Sequence, residues 1–311
     1  MKIRLFSILV LSAAVLTLGC KKNSSETTIP GLSGLRMTDA TPYVSLGTTL
    51  TFKANVSSIT TTDKNDAGKV GVYWQVNSAK RDTLTRDITT GNPTFTYTAD
   101  TAGTYTVTCS AYATGYYNST ATAKFQAIEP STALTGIPGS ATEIIEGQEY
   151  RTFTSGEDTW LGNNLYGTGH RFYGAPVLDT VFGNYYTWEE ARTACPENWH
   201  LPSAEEFDSL GSEAGAFMVD ASFMGKKMWE YWTGVNITNT LGFNAIPTGY
   251  MDLTYTSNPE TGFKEYAMWW TADEVNEDLA SFRYIYQKNP VIQKGQGSKK
   301  SLALNVRCVK D

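Results

Sequence analysis

Histidine is nearly missing from this chain of 311 residues: it occurs twice, and cysteine four times. A structural zinc site needs four nitrogen or sulfur ligands at close spacing, and residues this sparse and scattered supply no such quartet. A surplus of basic charge is missing as well. Of the 25 Lys and Arg, Lys2 and Arg4 lie in an export segment, so 23 remain against 31 Asp and Glu, a net charge of −8. Such a surface does not seek phosphate backbones, which excludes nucleic acid as the expected partner. Past the first two dozen residues no uniformly apolar run approaches the ~20 residues of a membrane-spanning helix, so none is expected.

What the chain does have begins at its start. Residues 1–19, MKIRLFSILVLSAAVLTLG, carry Lys2 and Arg4 ahead of an apolar stretch and read as a signal peptide. The ending Leu18-Gly19-Cys20 resembles the lipobox of bacterial lipoproteins, with Thr17 where an aliphatic residue is usual. The resemblance implies lipidation of Cys20, and acyl chains anchor at about 0.8 kcal/mol per buried methylene. Residues 20–33, polar after the cysteine, read as a flexible tether. The expected address is the bacterial cell envelope, as an outer-membrane lipoprotein either periplasmic or surface-exposed.

From Thr49 onward short alternating runs follow one another: TLTFKANVS, VGVYWQV, TFTYTA, TYTVTCSAYA and TATAKFQAI. Period-two alternation rich in Thr, Val, Tyr and Phe predicts an all-β sandwich over 34–129. In the fourth run Tyr105, Val107, Cys109 and Ala111 share one face. Cys109 has no partner cysteine nearby and reads as a small buried hydrophobe. The segment YTADTAGTYTVTCSAYATG resembles PKD-like and other bacterial immunoglobulin-like modules, in which a tyrosine closes a corner. Trp74 fits the tryptophan that such sandwiches place centrally. The role so implied is that of a spacer.

Residues 130–149 are rich in Pro, Gly, Ser and Thr and read as a linker. Beyond them, at 150–311, the composition changes: of 8 tryptophans only Trp74 precedes Tyr150. Thr187-Trp188-Glu189-Glu190 and Ser203-Ala204-Glu205-Glu206 fit the capping box, predicting helices from about 188 and 204. Cys195 follows the first of them. With Cys20 acylated and Cys109 inside the sandwich, only Cys308 is left to pair with it in an oxidising compartment. Closing a loop of about a hundred residues is worth up to about 4.7 kcal/mol in the chain-entropy view. A disulfide removes Cys195 as a nucleophile, and His200 beside it then reads as structural.

The stretches TWLGNNL, ACPENWHLPSAEEFDSL, LGFNAIPTGY, MWWTADE and VRCVKD, in this order, resemble the domain family named for major paralogous proteins of Fibrobacter succinogenes. That family is itself similar to C-type-lectin-like folds. The resemblance implies an α+β domain on an exported protein without catalytic activity. Calcium lectins of the related fold use EPN or QPD and WND elements, none of which occurs here. The acidic run with Asp273, Glu274, Glu277 and Asp278 offers oxygen ligands of the kind calcium takes, without EF-hand spacing, and reads equally as a solvated turn. Beyond that ion no cofactor is expected. Trp229, Trp232, Tyr250, Trp269 and Trp270 are the aromatic candidates for stacking on a sugar ring. Trp269 and Trp270 point to opposite faces if they share a strand. Loops around 229–240 and 250–265 are long enough to build a pocket.

The expectation is therefore a multidomain chain: an N-terminal immunoglobulin-like sandwich and a C-terminal C-type-lectin-like domain. Its expected function is adhesion or carbohydrate binding at the cell surface, with a glycan or another envelope protein as partner and the membrane engaged through a lipid anchor. A purely structural assembly unit is the first alternative. A glycan-active enzyme is the second, for which the sequence nominates no carboxylate pair.

Overall fold

Five of the alternating runs become strands, as half-buried β surfaces require, in a computed structural model that describes residues 36–37, 43–55, 70–77, 79–86, 93–112, 119–257 and 259–311. Signal peptide, tether and Cys20 lie outside the described residues. One sheet of the sandwich holds Thr49–Asn55 between Arg36–Met37 and Thr94–Thr98. The other runs Tyr43–Ser45, Ser119–Ile128, Gly103–Tyr112, Val70–Val76, Ala79–Arg86. Tyr43–Ser45 pairs parallel to the end of Ser119–Ile128, and the remaining neighbours are antiparallel.

The inward residues of both sheets make a single core around Trp74, Phe52, Phe125 and Val107, with Trp74 stacked 5.4 Å from Phe95. Tyr105, Val107, Cys109 and Ala111 all point into it, as the alternation requires. The Tyr105 hydroxyl donates to the Thr101 carbonyl at 2.8 Å, closing the corner between strands. Cys109 is free and buried, and burial pushes its thiol up to about 12, far from nucleophilic at neutral pH.

The segment expected to be a linker is instead part of the second domain. Leu134–Thr135 pairs with Ser222–Phe223, and Ala141–Ile145 forms a hairpin with Gln148–Ser155. The turn between the hairpin strands is Glu146-Gly147, with φ of 51° and 80°. Positive φ at both central residues is the two-residue turn whose twist matches a hairpin. The domain boundary therefore falls just after Ile128, which is itself buried among Ala133, Val219 and Phe223 of the second domain. Tyr43 of the sandwich packs on Phe172, Tyr173 and Phe223.

The second domain is β-rich. Its helices span only 4 to 6 residues, shorter than an α+β fold implies. A five-stranded sheet orders Ala141–Ile145, Gln148–Ser155, Asp158–Leu161, Val309–Lys310 and Trp199–His200. A second sheet places Leu279–Tyr286 between Tyr266–Glu274 and Gln293–Ser298. Both expected capping boxes are complete, at Thr187 with Glu190 and at Ser203 with Glu206. Cys195 and Cys308 form a disulfide, Cα atoms 5.9 Å apart across 113 residues of sequence. It ties the turn after helix Trp188–Ala191 to the approach of the last strand, and the Cys308 carbonyl accepts from Leu161 N at 3.0 Å.

Candidate binding site

The aromatic residues best placed to meet a ligand lie on the loop MWEYWTGVNI. Trp229 is its root: the ring is buried and its Nε1 donates to the Ala245 carbonyl at 2.9 Å. Val235 returns to the same core, after a turn in which its N–H donates to the Trp232 carbonyl at 3.1 Å and Gly234 takes φ of 90°. With both ends pinned inward, Tyr231 and Trp232 are left outward, 85% and 45% exposed. They border a cleft of about 330 Å³ that Asp220, Glu230 and Asn236 also line. Lys288 sits 4.8 Å from the Trp232 ring centroid, a cation–π contact on a ring that is still 45% exposed. Lys227 also lines the cleft and donates to both carboxylate oxygens of Asp220, so Glu230 and Asn236 are the polar groups beside the adjacent aromatics: a flat face for the C–H surface of a sugar, with a carboxylate and an amide for its hydroxyls.

Of the five aromatic candidates, Trp232 alone is exposed. Trp269 and Trp270 do point to opposite faces of their strand, but packing covers both faces. Trp269 enters the core of Phe207, Phe217 and Phe243, donating to Asn164 Oδ1 at 3.0 Å. Trp270 enters the core of Trp188, Leu304 and Cys308, donating to the Tyr186 carbonyl at 2.8 Å. With Trp229 also internal, these three are corrected from stacking platforms to core members, their indole N–H groups satisfied by the protein itself. Tyr250 is half-buried and lines a shallower groove of about 360 Å³ with Tyr266, Met268, Phe282 and Tyr284. Burial raises the phenols of Tyr250 and Tyr266, so they remain hydrogen-bond donors at neutral pH. Tyr231, Asp220, Tyr266 and Tyr284 were not among the sequence candidates. The WEYW string held the signal for Tyr231, since a rooted Trp229 leaves its neighbours to solvent.

The acidic run is not assembled as a calcium site. Lys299, almost wholly buried, places its ammonium 2.6 Å from Glu274 Oε1 and 3.0 Å from the Glu277 carbonyl, over the Trp188 ring at 4.8 Å. A lysine thus takes the place of a cation. Asp273 accepts from the Ala204 N–H at the start of helix Ala204–Ser209 at 2.5 Å, and the Asp278 carbonyl accepts from Lys299 N at 3.0 Å. Among the described residues no three His, Cys, Asp or Glu side chains converge to hold a metal ion.

Cys195, in its disulfide, has no thiol to offer. His200 is held between two carboxylates, Nδ1 2.7 Å from Asp311 Oδ1 and Nε2 2.9 Å from Glu206 Oε1. Burial alone would lower the imidazole, but those hydrogen bonds and charges outweigh it and the net direction is upward. This is a histidine bracing Asp311 against the Ser203 cap. Among the described residues, no helix is long and apolar enough to cross a membrane.

The family model of the Fibrobacter succinogenes major domain matches residues 139–310. The chain belongs to that family. The Fibrobacter succinogenes major domain so bounded contains the Trp232 cleft, the tyrosine groove and the disulfide, and it starts inside the segment first read as linker. Among solved structures, the PKD domain of an M14-like peptidase from Thermoplasmatales archaeon SCGC AB-540-F20 is 21% identical, covering 30% of this chain and 93% of that one with a TM-score of 0.22. The adhesin InvE of Yersinia pseudotuberculosis is 12% identical, covering 90% and 70% with a TM-score of 0.28. Superpositions this loose bear on neither fold nor function. No curated protein matches the chain.

Proposed function

We propose that this chain is a lipid-anchored protein of the bacterial envelope or cell surface, in which the sandwich is a spacer and the Fibrobacter succinogenes major domain is a non-catalytic, lectin-like module. It takes a glycan in the cleft beside Trp232. The observation that carries this reading is the outward pair Tyr231 and Trp232 on a loop rooted at both ends, beside Asp220, Glu230 and Asn236. Large aromatics held in water by a rigid loop gain nothing for folding, and they are the residues that concentrate binding energy at recognition surfaces. The reading asks for no chemistry from the module's cysteines, which are joined, or from His200, which is engaged by two carboxylates, while His170 lies 3.4 Å from Glu190.

A glycan array probed with the chain from residue 20 onward, with and without calcium, tests the reading. Binding of a neutral oligosaccharide is expected, unaffected by chelator, and weakened about tenfold or more by Trp232→Ala, the loss of one good aromatic contact. Undiminished binding by that variant, or turnover of the bound glycan, would overturn it.

A further inference from the structure

Among the described residues of the C-terminal domain three cations are buried, and two of them have a carboxylate. Arg283 donates to Asp208 from Nε at 2.6 Å and from Nη2 at 3.0 Å. Lys299 has Glu274. Arg307, at 1% exposure the most buried of the three, has only neutral partners: Nε donates to Asn164 Oδ1 at 2.9 Å, Nη1 to the Leu161 carbonyl at 3.0 Å and Nη2 to the Asn244 carbonyl at 3.5 Å. A guanidinium has five N–H groups and stays protonated in proteins, so donors remain beyond these three bonds. Its centre lies 4.4 Å from the Phe243 ring centroid, which stabilises a cation without neutralising it.

Arg307 lines a cavity of about 210 Å³, and Arg151 lines it too. The Arg151 side chain is exposed and makes no ion pair among the described residues. Burial pushes the Arg307 guanidinium down from its ordinary value, and the charge of Arg151 acts in the same direction. Among the described residues, no acidic side chain lines the cavity. Its remaining polar surface includes Thr180 and Asn163, whose Oδ1 accepts from Arg151 N at 2.8 Å and whose Nδ2 donates to the Asn164 carbonyl at 3.3 Å, and its apolar surface includes Leu134, Ile137 and Ile246. Asn164 and Asn244 are already engaged with the protein, Asn164 Oδ1 receiving both Arg307 and Trp269, and Asn244 Nδ2 donating to the Gly162 carbonyl at 3.0 Å. The charged groups left to a ligand are therefore both cationic, Arg151 and Arg307, with the Thr180 hydroxyl and hydrocarbon beside them.

We propose that this cavity, between the 130–137 segment and the rest of the C-terminal domain, binds one small organic carboxylate, either a free acid or the acid group of a uronic-acid residue in a glycan. The guanidinium fork matches a carboxylate in two parallel hydrogen bonds. The apolar wall calls for an organic body behind the charge, which an inorganic anion lacks. The volume, below the roughly 300 Å³ at which sites for drug-sized ligands begin, admits a single small acid or one residue of a longer chain. The site is separate from the Trp232 cleft, which has carboxylates of its own.

Calorimetry on the chain from residue 20 onward, with glucuronate, its methyl ester, glucose and inorganic phosphate as probes, tests the proposal. Glucuronate binds, and the three other probes bind at least about tenfold more weakly, as the loss of a charge-assisted hydrogen bond entails. Arg151→Gln weakens glucuronate by a similar factor, as does Thr180→Trp, which fills the mouth; both residues are exposed, and circular dichroism confirms that each variant is folded. Tighter binding of a galacturonate trisaccharide than of glucuronate assigns the site to a glycan, and equal affinity assigns it to a free acid. Absence of glucuronate binding at millimolar concentration, equal binding of phosphate, or unchanged affinity in both folded variants overturns the proposal.

Discussion

Asp208 is the counter-charge of Arg283 and also accepts from Lys294 at 2.7 Å. The hydrogen bond from Arg283, opposed by burial and reinforced by Lys294, holds its carboxyl down at about 2. A folded-state value below the unfolded ~3.9 contributes stability that is full above that pH and lost as pH falls towards 2. His200 works in the opposite sense. Its raised value gives stability that is full below the unfolded ~6.5 and lost as pH rises through the folded value. Urea unfolding followed against pH should therefore show stability declining at both ends. Asp208→Asn should flatten the acid limb and lower stability at neutral pH by about 2 kcal/mol, discounted from a fully buried pair because the carboxylate is partly exposed. An acid limb unchanged in that variant would show that the pair does not matter to folding.

The strand Tyr266–Glu274 lies between two cores, and its neighbours decide what its tryptophans do. Trp270→Ala should cost about 3–5 kcal/mol in chemical denaturation, as for a large buried aromatic, whereas Trp232→Ala should stay within about 0.5 kcal/mol. Similar costs for the two would contradict the assignment of one to core and one to surface. Alternation in the sequence placed Trp269 and Trp270 on opposite faces, because side-chain direction along a strand is local. That both faces are covered was not legible, because Phe207, Phe217 and Phe243 on one side and Trp188 and Leu304 on the other arrive from distant positions. The capping boxes were legible for the same local reason. The acidic run was only half legible, since Lys299, which neutralises Glu274, stands outside it. The hairpin of Ala141–Ile145 was missed in a segment rich in Pro, Gly, Ser and Thr, where Glu146-Gly147 stands at the turn in place of the Asn-Gly or Asp-Gly that marks a two-residue hairpin. Arg307 was passed over beside Cys308, because sequence spacing does not show which cation will lack an anion.

At the scale of the whole molecule, the sulfur pairing closes a loop that encloses most of the C-terminal domain. Cys308→Ser should lower the unfolding free energy of that domain by about 2–5 kcal/mol and leave the sandwich transition in place, measured by differential scanning calorimetry. A fall confined to the sandwich would contradict the assignment. Pairing by elimination among four cysteines was available from the sequence; the apolar seam that Ile128 and Tyr43 make with the C-terminal domain was not, because a strand end that leaves one core for another shows no break in its alternation. That seam and the parallel pairing of Tyr43–Ser45 with Ser119–Ile128 set how tension would pass along the molecule. A pull between residue 43 and residue 128 runs along both strands at once, so the ladder joining Tyr43 to Gln126, Val44 to Ala127 and Ser45 to Ile128 is loaded sideways, all rungs together, instead of being peeled open one by one.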